Sequence, residues 1–155
     1  MRKLLFFSIL FSVFLLNTAV TCCDEDLRPD VSVAKNPESI INVLQQGTWK
    51  VTYFFDAKTN KSSTFSGYDF TFGSNEILLA NNTSLDYDGK WSVIKSGEIG
   101  DNLNDINFTI LFSSPNSFAE LSDDWNIVQI SETQIRLKGV DNDNGESNYL
   151  IFEKN

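Results

Sequence analysis

Histidine is absent from the 155 residues, and cysteine occurs only as the adjacent pair Cys22 and Cys23. Without histidine, Ser-His and Cys-His nucleophilic machinery is excluded. With no cysteine beyond residue 23, the remaining chain can form neither an internal disulfide nor a thiolate metal site, so its stability must come from packing. There is no Gly-rich phosphate loop either. Basic residues are scarce, 12 against 21 acidic, for a net charge of −9, which makes nucleic acid and anionic lipid surfaces poor partners. A long apolar run is missing too. The run from Leu4 to Leu16 has 13 residues, about 20 Å as helix against a hydrocarbon core of about 30 Å.

That run nevertheless has a purpose. Arg2 and Lys3 precede it and small or polar residues follow at Asn17 to Thr21, the order of basic, apolar and cleavage regions in a signal peptide. The expected leader is 1–21. Its removal takes two cations and no acid, leaving 134 residues with 10 basic and 21 acidic side chains, enough for one domain with a single core. Residues 22–35 are acidic, poor in large apolar groups and aperiodic, so they read as a solvated tether. The domain is expected over 36–155.

A short helix should open it. Asn36 can cap, Pro37 suits the first helical position, Glu38 favours the positive end of the dipole and Gly47 can end it. Ile40, Ile41 and Leu44 would be its apolar stripe. From Thr48 the apolar period changes from about 3.6 to 2, with Gly, Asn, Asp and Ser clusters between segments, which is the pattern of consecutive antiparallel strands. Strands are expected over 48–56, 63–73, 76–81, 84–95, 105–112, 125–130, 134–140 and 147–154. Alternation is cleanest at Ile106, Phe108, Ile110 and Phe112. It also places Trp49, Val51, Tyr53 and Phe55, and Tyr68, Phe70 and Phe72, on inward faces. Between the fifth and sixth strands, residues 115–124 suggest a short helical turn. Eight meandering strands remove their exposed edges by closing into an up-and-down barrel; a β-sandwich is the alternative.

Ala19-Val20-Thr21-Cys22 resembles the lipobox of bacterial lipoproteins, with Thr in place of the commoner Gly, Ala or Ser and no leading Leu. The resemblance implies a lipid on Cys22, with Cys23 the alternative frame, and anchors with two or more acyl chains hold stably. Asp24-Glu25-Asp26 is similar to the acidic signal that sends some Bacteroidota lipoproteins to the cell surface, although a plain linker would look the same. Gly47-Thr48-Trp49 resembles the Gly-x-Trp signature of lipocalins. With Gly67 to Phe72, Gly89-Lys90-Trp91, Leu121 to Trp125 and Tyr149 to Lys154, it makes residues 45–154 similar to the lipocalin-like domains of small Bacteroidota lipoproteins. The resemblance implies a calycin-like barrel in which Trp49 closes one end. The late lipocalin arginine has no match; the Lys154 stem could cover Trp49 instead.

An eight-stranded barrel is either filled by its own side chains or holds one small ligand. Two functional expectations stand side by side. One is an envelope lipoprotein, outer-membrane and possibly surface-exposed, whose barrel binds a small apolar or amphipathic molecule through candidates Trp49, Tyr53, Tyr68, Phe70, Trp91, Phe108 and Trp125. The other is an interaction lipoprotein with a filled barrel whose loops contact a protein, a glycan or an inhibited enzyme. Neither is an enzyme and neither needs a cofactor. Asp86, Asp88, Asp123 and Asp124 fall near strand ends, where carboxylates usually face water. Asp141 and Asp143 are weak candidates for calcium in a loop of short spacing, whose Asp, Asn and Gly are better read as a hairpin tip. Asn81, Asn82 and Asn107 begin Asn-x-Ser/Thr triplets that matter only in a eukaryotic secretory pathway.

Overall fold

The computed structural model describes residues 36–56, 58–96, 103–139 and 147–155. The leader 1–21, the tether with Cys22 and Cys23, and the loop residues Asp141 and Asp143 lie outside the described residues.

Helix α1 runs Pro37–Leu44. The Asn36 side chain accepts from the Ser39 backbone N–H at 2.9 Å, and Pro37 and Glu38 occupy the first turn. Ile40, Val43 and Leu44 are buried and Ile41 packs at the margin. Nine strands follow among the described residues: β1 Trp49–Asp56, β2 Thr59–Asn60, β3 Asp69–Phe72, β4 Ile77–Asn81, β5 Asp86–Lys95, β6 Ile106–Phe112, β7 Asp123–Ile130, β8 Gln134–Gly139 and β9 Tyr149–Lys154. All pairings are antiparallel between neighbours, and β1 also pairs with β9. The chain is therefore a closed up-and-down barrel of eight strands, with β2 a two-residue hairpin partner on β1. Continuous pairing around the wall excludes two separate sheets. The expected helical turn is α2, Asn116–Ala119.

Closure is thinnest between β1 and β3, which share one bridge, Trp49 to Phe70. Asn155 fastens that seam: its side-chain amide donates to the Thr48 hydroxyl and to the Asp69 carboxylate, both at 2.7 Å. Farther up, residues 58–68 leave the wall and return. The expected strand over 63–73 is thus confined to Asp69–Phe72, because Ser62–Phe65 form a 3-10 turn. That turn is tied to β1 by the Lys61 N–H on the Phe54 carbonyl and the Phe54 N–H on the Ser62 hydroxyl, each 2.8 Å. The Lys61 ammonium meets Asp56 at 2.8 Å and Glu120 at 3.2 Å, joining the excursion to the end of α2.

The alternation expected for β1 breaks. Val51 faces Phe152 and Tyr53 faces Ile151, so Thr52 has no opposite residue and forms a β-bulge. An extra residue reverses the side on which every later side chain lies. Phe54 is consequently fully buried, and Tyr53 and Phe55, expected inside with Trp49 and Val51, sit on the outer wall with their rings parallel at 6.4 Å. A second bulge lies in β7, where Ile127 pairs Leu137 and Gln129 pairs Arg136, leaving Val128 unopposed. From β3 to β6 the register is unbroken.

Candidate functional site

The barrel axis is occupied by rings. Phe70, Phe72, Phe108, Phe112 and Phe152 are all buried. Phe72 packs on Trp91, Phe108 and Phe152 at 5.3 to 5.8 Å, and Phe70 meets Phe152 at 5.4 Å. Most pairs are edge-to-face, the arrangement that the ring quadrupole favours. Gly89 makes this possible at one point: a Cβ there would lie 2.7 Å from the Phe112 ring and 2.8 Å from the Leu111 carbonyl.

Both ends are closed, by different means. At one end α1 lies across the opening. The Trp49 indole N–H donates to the Leu44 carbonyl at 2.9 Å, and the Lys154 ammonium stands 5.5 Å from the Trp49 ring centre, so the expected lysine cover is present as a cation on the ring face. The Trp91 N–H is shared by the Gly73 and Ile77 carbonyls at 3.0 and 3.1 Å. At the other end the plug is Phe118 of α2. Its ring meets Tyr87 at 4.7 Å, Tyr68 at 5.0 Å, Phe65 at 5.2 Å, Phe112 at 5.3 Å and Phe70 at 6.0 Å. The Trp125 N–H bonds the Leu121 carbonyl just after α2, at 3.1 Å.

The candidates named from sequence therefore separate into three places. Trp49, Phe70, Trp91, Phe108 and Trp125 are packing residues of the axis and its ends, each with its polar atom, where it has one, bonded within the chain. Tyr68 is half-buried at the plugged rim, 5.9 Å from Tyr87. Loss of solvent pushes its hydroxyl above the ordinary tyrosine pKa, helped by a hydrogen bond with Tyr87. Tyr53 is on the outer wall. Of the four carboxylates near strand ends, Asp123 is shifted: burial raises its pKa, opposed by the Asp124 N–H at 2.8 Å and reinforced by the charges of Asp124 and Asp56. Asp124 accepts from the Thr109 hydroxyl at 2.6 Å. Among the described residues no cluster of three or more acidic or other ligating side chains is placed to hold a metal, and no helix is long and apolar enough to cross a membrane.

What periodicity missed is the outer wall over β1, β9, β8 and β7. Register places Tyr53, Ile151, Arg136 and Gln129 in one row, and Phe55, Tyr149, Lys138 and Asn126 in the next. Bulged Val128 is 58% exposed and Tyr149 42% exposed. Tyr53, Val128, Leu137, Tyr149 and Ile151 form, with Arg136, a shallow groove of about 250 Å³. The signal that could have exposed it is Tyr53-Phe54-Phe55 itself, three consecutive rings that no two-residue period can place on one side.

Comparison with known proteins adds little to this geometry. No protein-family model matches the chain, and no curated protein sequence matches it significantly. Among solved structures, it is similar to a DUF4847 family protein from Bacteroides vulgatus, at 16% identity and a TM-score of 0.47 over 75% of this chain and 97% of that one. It is also similar to a mutant of LTBP1 solved in complex with leukotriene C4, at 16% identity and a TM-score of 0.37 over 73% of this chain and 68% of that one. At that level of likeness neither carries residue roles or a ligand to this chain.

Proposed function

We propose that this chain is an exported lipoprotein, anchored in the cell envelope by lipid on Cys22, whose barrel is a filled platform that acts through its outer wall and loops and carries out no catalysis. The observation that supports the platform over an enclosing binder is Phe118. Its ring closes the end opposite α1 and touches five others, which leaves an internal ligand no entry without displacing it. Four grooves among the described residues lie on the surface, lined by β1 with residues 62–67, by α1 with β5, by the outer wall, and by β5 with Leu111 and Ser113. Such grooves admit contacts from outside.

The anchoring half of the reading rests on the lipobox-like run ending at Cys22. Metabolic labelling with an acyl analogue should mark the full chain and not its Cys22→Ser variant; labelling of both would move the lipid to Cys23, and labelling of neither would remove it. For the platform half, native mass spectrometry of the mature chain with Cys22→Ser should give the bare protein mass. A stoichiometric apolar passenger, retained until denaturation, would return the function to the barrel interior.

A further inference from the structure

The outer-wall groove combines three features that a solvated sheet face does not need. Its lining is apolar, because the bulge at Thr52 turns Tyr53 outward and the bulge at Val128 leaves an aliphatic side chain unopposed beside it. Exposed apolar surface gathered in one place marks contact sites rather than chance. Among its described lining residues the one charged group is a guanidinium: Arg136 is the one arginine among the described residues, it is exposed, and the ion pairs formed among those residues involve Lys50 and Lys61 instead. Among the described residues no carboxylate lines the groove, although the protein is strongly acidic.

An arginine with no ion pair among the described residues, at the edge of an apolar trough, is complementary to a carboxylate, which it can hold through two parallel N–H bonds. The trough sets the rest of the ligand. About 250 Å³ lies just below the usual range of ligand sites, which suits a small molecule. We infer that this groove binds a small amphipathic carboxylate, its acid on Arg136 and its apolar body along Tyr53, Val128, Tyr149 and Ile151. This rests on the platform reading and gives its outer wall a ligand class.

The test is calorimetric titration of the mature chain, Cys22→Ser, with decanoate and with uncharged decanol. Decanoate should bind once per chain and saturably, and decanol at least about tenfold more weakly, since a charge-assisted bond to arginine is lost. Arg136→Gln should weaken decanoate by at least about tenfold and leave decanol unchanged. Val128→Glu, at an exposed position that leaves the near-ultraviolet dichroism intact, should abolish decanoate binding. Absence of saturable decanoate binding overturns the inference and leaves the platform reading standing. Binding that ignores Arg136→Gln and Val128→Glu but changes with Phe118→Ala overturns both, because the ligand is then inside. Binding to phosphatidylglycerol vesicles that depends on Arg136, without decanoate binding, overturns it in favour of a membrane surface.

Discussion

The half of the barrel from β3 to β6 and the half from β7 round to β1 bury their inner faces equally well, yet their outer faces differ. In the first half, register never slips, and outward aliphatics are interleaved with charge: Leu79 sits beside Asp88, and Ile77 and Leu111 flank Lys90. In the second, two bulges collect Tyr53, Phe55, Val128, Tyr149 and Ile151 around Arg136 and Lys138. A bulge changes which residues face out without costing the core its continuity, since Phe54 takes the inward place that Tyr53 gives up. Core and surface are thereby specified separately along one strand.

That separation can be tested by size of effect. Truncating the plug, Phe118→Ala, should cost the most, about 3–5 kcal/mol for a large buried ring, read by chemical denaturation; a loss below 1 kcal/mol would mean α2 is not part of the core. Gly89→Ala strikes the regular half, forcing a methyl against the Leu111 carbonyl and the Phe112 ring, and should destabilise by about 1–3 kcal/mol.

Asp123→Asn tests a carboxylate drawn into the wall at the plugged end. Its folded pKa is raised by burial, so the folded state binds the proton more tightly. Stability is therefore lost as pH rises from the ordinary carboxylate value through the raised one. The amide variant, whose oxygen can still accept the Asp124 N–H, should have the higher Tm at pH 7, and the difference should vanish near pH 3. A gain that persists at pH 3 would point to another cause. The smallest change is expected where the bulges have put apolar groups in water. Tyr53→Thr and Val128→Thr should each alter stability by no more than about 0.5 kcal/mol, so a loss comparable to Phe118→Ala would erase the distinction between the two halves.

Much of this architecture is legible in the residues. Asn36-Pro37-Glu38 marks a helix start, and Ile106 to Phe112 mark a strand buried on one side, because capping and pleating act within a few residues. Seven of the eight wall strands follow from such local patterns to within about two residues. The exception over 63–68 was hidden because Phe65 is buried from a 3-10 turn instead of a pleat, and burial alone does not report backbone shape. Trp49 as an end closure, with Lys154 upon it, followed from the resemblance of Gly47-Thr48-Trp49 to the lipocalin signature and not from local pattern.

The sequence by itself determined one capped helix followed by antiparallel strands with an apolar face, since those choices depend on neighbours along the chain, and it left barrel or sandwich to the long-range pairing of β1 with β9. Only the tertiary structure decided where the alternation slips, at Thr52 and Val128, and which end Phe118 fills. Both are settled by what lies across the barrel: Phe152, Leu150 and Leu137 accept a partner only in one register, and the rings at the rim leave space for one more.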